Sequence, residues 1–144
     1  MTEVPAVDPG QFAEMVRNAS DADLEAGLRA NHELILGQVF ERMPEFFEPS
    51  RAGDVEAVSE WRIDIPGADE PERWQVAIAG GGAQVTRGGD QQPTVVYALG
   101  GLDFLKLITG AVEGPQLFIT GKLRIEGDLM LAARMPSMFR FAGG

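Results

Sequence analysis

Few residues of this 144-residue chain have the type and spacing that covalent chemistry needs. The single histidine, His32, precedes Glu33 as in a zinc-protease helix, but that motif needs a second histidine at position 36, where Leu36 stands. His32 therefore reads as an ordinary surface or boundary histidine. Gly121-Lys122 resembles the end of a phosphate loop. Leu123 replaces the Ser or Thr required next, and Gly114 lies at the wrong distance upstream. Gly80-Gly81-Gly82 joins two strand-like runs rather than opening a helix, so it reads as a turn. None of Ser20, Ser50, Ser59 or Ser137 sits in a G-x-S-x-G elbow. Asp69-Glu70 falls in a turn, where neighbouring carboxylates are solvated and form no buried dyad. No cysteine is present, which excludes disulfides, thiolate catalysis and cysteine-ligated metals. With neither a nucleophile–base set nor a metal set, the residues point away from an enzyme and call for no cofactor.

The side chains that do cluster by type are apolar. Met130, Met135, Met138, Phe139 and Phe141 crowd the last segment, and Met43, Phe46 and Phe47 follow one another near the middle of the first half. Methionine and phenylalanine together make a deformable surface that accepts irregular apolar shapes. The same composition also suits ordinary core.

These groups must be positioned by elements whose periods are readable. Asp8-Pro9 followed by Phe12, Met15 and Val16 predicts a short helix. Ser20 offers an N-cap, with Asp23 three residues on. Leu24, Leu28, Ile35, Val39 and Met43 then recur at helical spacing, with Leu36 and Phe40 widening the stripe. This predicts one long amphipathic helix over residues 21–43. After a loop at Pro49–Asp54 the period becomes two, with Val55, Ala57, Trp61 and Ile63 on one face and Glu56, Glu60 and Arg62 on the other. Trp74, Val76 and Ile78 alternate with Arg73 and Gln75 as a second strand. Residues 83–87 and 94–99 supply a third and a fourth, joined by glycine-rich turns. Helical spacing returns at Leu102–Ile108, an extended run follows at Leu117–Glu126, and Asp128 can cap a final helical segment interrupted by Pro136. The expected order is helix, four meandering strands, helix, strand, helix. It predicts an α+β layer, helices on one face of the sheet and water on the other, where Glu56, Glu60, Arg62, Arg73 and Gln75 lie.

Bulk properties set the frame. The length is that of one domain, and 44% hydrophobic against 24% charged residues is ordinary for a globular chain. The formal net charge is −10, with 17 acidic and 5 basic residues in positions 1–72 against 5 and 7 in positions 73–144. This balance excludes nucleic acid, which rewards clustered Lys and Arg, and leaves at most transient membrane contact through the C-terminal half. No apolar run approaches membrane-spanning length, and the first ten residues lack the basic and apolar regions of a signal peptide. The expected location is the cytoplasm.

From Pro93 to Phe141 the chain resembles the sterol carrier protein two family of lipid-binding domains. The resemblance rests on Thr94-Val95-Val96-Tyr97-Ala98-Leu99, on Asp103-Phe104-Leu105 opening a helix with Gly110 near its end, on Gly121-Lys122-Leu123-Arg124-Ile125-Glu126-Gly127-Asp128, and on Leu131-Ala132-Ala133-Arg134-Met135. The Trp74–Gly89 hairpin and the layout of the long helix and Trp61 strand extend it to roughly residues 21–141. Residues 1–20 then read as an N-terminal extension and 21–144 as the domain. The chain departs from the family pattern at Gly100, where a helix-capping serine is usual. It also ends without a peroxisomal tripeptide, which points to a bacterial stand-alone member.

The resemblance implies a five-stranded, largely antiparallel sheet with helices packed on one face, enclosing a hydrophobic tunnel. It implies binding of fatty acid, fatty acyl-CoA, sterol or phospholipid without catalysis, as carrier or reservoir, or else service as an accessory module beside a partner enzyme. Taken with the periodicities, the expected wall is Leu28, Ile35, Val39, Phe40 and Met43 facing Trp61, Val76 and Ile78. Phe104, Leu105 and Ile108 close one side, and Met130, Leu131, Met135 and Met138 stand at one end. The final segment reads either as a movable lid or as rigid core.

Overall fold

The computed structural model describes residues 9–109 and 111–139. The readings made above for the first eight residues, Gly110 and Phe141 lie outside the described residues. Helix α1 (Pro9–Asn18) buries Val16, and Arg17 donates to the carbonyl of Thr109 at 3.1 Å. Helix α2 (Asp21–Phe40) starts as expected, with Ser20 Oγ accepting from the Asp23 N–H at 3.1 Å. It is not one continuous helix to residue 43. Asn31 leaves helical geometry (φ −139°, ψ 33°), and α2 ends at Phe40. The break shifts the buried stripe by one residue. Leu28, Leu36 and Phe40 are fully buried, whereas Ile35 and Val39, in phase with Leu28 on an unbroken helix, are half-buried. Two short helices follow, α3 (Met43–Phe46) and α4 (Pro49–Ala52), each with proline in its first turn, where no intrahelical donor is lost.

Strands β1 (Ala57–Asp64), β2 (Glu72–Ala79), β3 (Gly82–Arg87), β4 (Val95–Gly100) and β5 (Leu123–Gly127) form one sheet in the order β3-β2-β1-β4-β5. Three of the neighbouring pairs are antiparallel, so the sheet is largely antiparallel as expected. The expected meander of four strands is corrected: β4 leaves β3 and pairs parallel with β1, with Trp61 opposite Tyr97. To get there, the connection after β3 crosses the outer face. Gln91 clasps the Gln75 side chain there, accepting from Nε2 at 2.9 Å and donating its N–H to Oε1 at 3.2 Å. Thr94 then exchanges hydrogen bonds with the backbone of Val58.

The expectation of an outer face open to water holds for Glu56 and Arg73, which are exposed, and is corrected at Glu60 and Gln75. Gln75 and Glu60 are buried there, 1% and 3% exposed. Glu60 accepts from Arg62 Nε at 2.7 Å, Gln75 Nε2 at 2.9 Å and an Arg73 guanidinium N–H at 3.4 Å. Burial alone raises its carboxyl pKa. The bonds from Arg62 and Gln75 and the charges of Arg62 and Arg73 outweigh it and hold the pKa below the ordinary value.

The inner face carries Trp74, Trp61, Tyr97 and Ile125 in one row across four strands. Against it pack α2 and α5 (Gly101–Ile108). Phe40 lies between Trp74 and Phe104, its ring nearly parallel to both at centroid distances of 4.9 and 5.1 Å. Such area-rich, offset contacts fasten the helix layer to the sheet. Helix α5 begins without a side-chain cap at Gly100. Its first residue must be small, because a Cβ on Gly101 would lie 2.9 Å from Leu28 Cδ1 and 3.3 Å from the Asp64 carbonyl. Residues 117–119, expected to be extended, belong instead to α6 (Gly114–Ile119). Pro115 stands in its first turn, a position that favours a helix start, and the strand begins only at Leu123. Helix α7 (Leu129–Arg134) is capped by Asp128, whose carboxylate accepts from the Leu131 N–H at 3.0 Å, and runs into a 3₁₀ turn at Met135–Met138.

Candidate functional site

Over β4 and β5 the helices do not fill the inner face. A cavity of about 530 Å³ lies there, floored by Ser59, Trp61, Val76, Tyr97, Leu123 and Ile125. Its sides are Met43, Leu107 and Ile108, then Gly114, Pro115 and Phe118 of α6, and Leu129, Ala132, Ala133, Met135 and Phe139 around α7. Phe118 is 49% and Leu129 57% exposed, so these two mark the mouth.

The polar atoms of the wall are already engaged within it. Ser59 Oγ accepts from the Trp61 indole N–H at 3.2 Å and donates to the Val76 carbonyl at 3.4 Å. The Tyr97 hydroxyl donates to the carbonyl of Ala132 at 3.0 Å, tying α7 to the sheet. Burial pushes the Tyr97 pKa up, so the phenol keeps the proton that this bond uses. Among the described residues no buried side-chain N or O lacks a partner. A guest therefore meets methyl, methylene and ring surface, and no hydrogen bond asks to be made.

The structure brings five of the expected wall residues together on the cavity: Met43, Trp61, Val76, Ile108 and Met135. Leu28, Phe40, Ile78, Phe104, Leu105 and Met138 lie in the packed core, and none of them is among the cavity's lining residues. Ile35, Val39 and Leu131 are half-buried outside the lining, and Met130, 85% exposed, points to solvent. Sequence reasoning passed over Tyr97, Leu123, Ile125, Pro115, Phe118 and Leu129 as wall. The alternation of Leu123 and Ile125 against Lys122 and Arg124 was the available signal for two of them. The helix carrying Pro115 and Phe118 had none beyond Gly114-Pro115, which reads equally as the end of α5.

The segment after α7 is held at its end. Met138 is fully buried, its carbonyl accepts from the Glu48 N–H at 2.7 Å, and Phe139 bridges to Phe47 with ring centroids 5.4 Å apart. His32, not among the cavity's lining residues, is half-buried. Its Nδ1 lies 2.6 Å from Glu72 Oε1, while the other Glu72 oxygen accepts from the Trp74 indole at 2.7 Å. Among the described residues no group of three His, Cys, Asp or Glu side chains could hold a metal. Nor, among them, is any helix long and apolar enough to cross a membrane.

Comparison with known proteins agrees with this architecture. Residues 40–140 match the SCP-2 sterol transfer family, and the chain belongs to that family. A 39-residue stretch is 41% identical to the oleate-induced peroxisomal protein POX18 of Candida maltosa, covering 27% of this chain and 31% of that one. The fold is similar to that of sterol carrier protein 2 like 2 from Aedes aegypti, with a TM-score of 0.59 and 24% identity over 78% of this chain and all (100%) of that one. It is similar to sterol carrier protein 2 from Yarrowia lipolytica, with a TM-score of 0.53 and 19% identity over 92% and 91%. It is also similar to part of the sec-alkylsulfatase Pisa1 from a Pseudomonas species (TM-score 0.60, 13% identity), covering 76% of this chain but only 17% of that enzyme.

Proposed function

We propose that the chain binds a lipid-like molecule in this cavity, as carrier or reservoir, and carries out no covalent step on it. The ligand class is fatty acid, fatty acyl-CoA, sterol or phospholipid. The observation that carries the reading is the cavity itself: about 530 Å³ of apolar space whose few polar atoms are paired internally. Protein interiors normally pack without such voids, and unfilled volume lowers stability. The volume lies within the roughly 300–1,000 Å³ of small-molecule sites. Burying about ten methylenes at about 0.8 kcal/mol each supplies on the order of 8 kcal/mol before the entropy of association. Ten methylenes thus set micromolar affinity as the upper limit, with weak discrimination between chain lengths. Met43, Trp61, Val76, Ile108 and Met135 are the expected wall residues assigned to the ligand. A cysteine-free chain suits a reducing cytoplasm, and the reading places the protein there.

Mass spectrometry of an organic extract of the purified protein, paired with titration of a fluorescent fatty acid, tests the proposal. Co-purified lipid and saturable one-to-one binding are expected. An empty extract together with no saturable binding of fatty acid or sterol sinks it.

A second reading, an accessory module that stabilises or presents a hydrophobic ligand to an enzyme, is favoured by one observation. A similar fold forms about a sixth of the Pseudomonas sulfatase. Pull-down from native lysate separates the two, since only the accessory module retains a stoichiometric enzyme.

A further inference from the structure

Four of the largest exposed apolar side chains fall into two adjacent pairs: Phe118 and Ile119 on α6, Leu129 and Met130 at the start of α7. Phe118 and Leu129 line the cavity and are half exposed, while Ile119 and Met130 are 82% and 85% exposed. Each pair thus steps from the cavity wall out into solvent, and both helices pack on β5. Apolar exposure of this kind around a mouth is rare on a soluble monomer without a partner to cover it.

The charges around it identify that partner. Among the described basic side chains, Arg17, Arg42, Arg51, Arg62, Arg73, Arg87 and Lys106 are engaged by carboxylates or a carbonyl. Of the remaining four, Lys122, Arg124 and Arg134 all belong to the stretch that carries the apolar pairs, and all three are exposed. Lys122 lies three residues beyond the end of α6 and Arg134 ends α7. Long cations beside an apolar rim can lay their stems on it and reach phosphate with their heads. The three acidic residues of the same stretch, Glu113, Glu126 and Asp128, make it neutral in sum, so the whole net charge of −10 lies elsewhere in the chain. A mouth so framed fits a phospholipid surface better than a charged protein.

We propose that Ile119 and Met130 insert into the interfacial region of a bilayer, with Lys122 and Arg134 at the headgroup phosphates, so that the cavity mouth faces the membrane. This rests on the lipid-binding reading, because it gives the guest a path that never crosses bulk water. Apolar area drives it, and phosphatidylserine strengthens it only severalfold.

The test is co-sedimentation of the full chain with phosphatidylcholine vesicles, with and without phosphatidylserine, using I119E/M130E as the variant and L34E, an exposed apolar residue of α2, as the control. Wild type and L34E are expected to sediment with both vesicles and I119E/M130E to lose at least about tenfold in partitioning. K122Q/R134Q is expected to lose only the phosphatidylserine increment. Fluorescent fatty-acid binding without vesicles, run on every variant, is expected to be unchanged. Wild-type protein that ignores both vesicles, or I119E/M130E that sediments like wild type, overturns the proposal. So does a concentration-dependent dimer, abolished by I119E/M130E, in a protein that ignores vesicles, since the patch then serves a second copy. If fatty acid fails to bind while vesicle partitioning follows the pattern above, the cavity reading fails and the docking surface stands.

Discussion

The Trp61 ring stacks on the Tyr97 ring, centroids 4.3 Å apart with 24° between their planes, across the parallel pair of strands at the centre of the sheet. Both rings floor the cavity, whereas Trp74, one strand away in the same row, is covered by Phe40 and does not. The two tryptophans of the chain therefore report on different places.

Trp74→Phe is expected to leave a protein whose remaining indole responds to fatty acid by a change in emission wavelength or yield. Trp61→Phe is expected to bind with little change in emission. A response that follows Trp74 instead would move the guest from the cavity to the aromatic core.

Ile125 is half-buried on the inner face of β5, and an indole there projects into the open volume. Ile125→Trp is expected to weaken fatty-acid binding at least about tenfold while leaving the melting temperature level or higher, because it fills space that costs stability when empty. Calorimetry and ligand titration on the same sample check both halves.

Two methionines eight residues apart, Met130 and Met138, separate surface from core. Met135 lines the cavity, but Met138 is fully buried beneath α4 and Phe47, and Met130 stands in solvent. Met138→Ala is expected to cost about 2–5 kcal/mol in urea unfolding, and Met130→Ala to stay within about 0.5 kcal/mol of wild type. Near-equal values would mean that the Met135–Phe139 segment is not anchored as described.

Glu60 makes the stability depend on acid. Its folded pKa lies below its unfolded one, so its stabilising contribution is complete above the ordinary carboxylate range of about 4.3 and disappears as pH falls through the lower, folded value. Glu60→Gln is expected to lower stability at neutral pH by about 2 kcal/mol, since Arg62 and Arg73 lose a charged partner and one of the two accepting oxygens becomes a donor. It is also expected to flatten the acid limb of the stability profile. Parallel acid limbs for the two proteins would remove Glu60 from that role.

Much of the scaffold was legible from local signals. Ser20 and Asp128 cap the helices they were expected to cap, and the alternation of β1 and β2 put Trp61, Val76 and Ile78 on one face. The cavity was less so, for two reasons. A break at Asn31 rotates the second part of α2, so Ile35 and Val39, in phase with Leu28 on an unbroken helix, end half-buried outside the lining, while Leu36 and Phe40 turn into the packed core. The neighbour of β1 was hidden as well, because a parallel partner leaves no turn between the strands to read. Once Tyr97 is set beside Trp61, Ile125 follows by register, and with it the floor of the cavity.

The same parallel pairing has a kinetic meaning. Strands β1, β2 and β3 are joined by short connections and can assemble early, while the link between β1 and β4 joins Val58 to Thr94, 36 residues on. Loop-closure entropy makes such a contact a late one. The floor of the cavity spans that seam, with Ser59, Trp61 and Val76 on the early side and Tyr97, Leu123 and Ile125 on the late side. A guest that needs both sides finds its site only after the rate-limiting step, so it leaves the refolding rate unchanged and shows itself as slower unfolding.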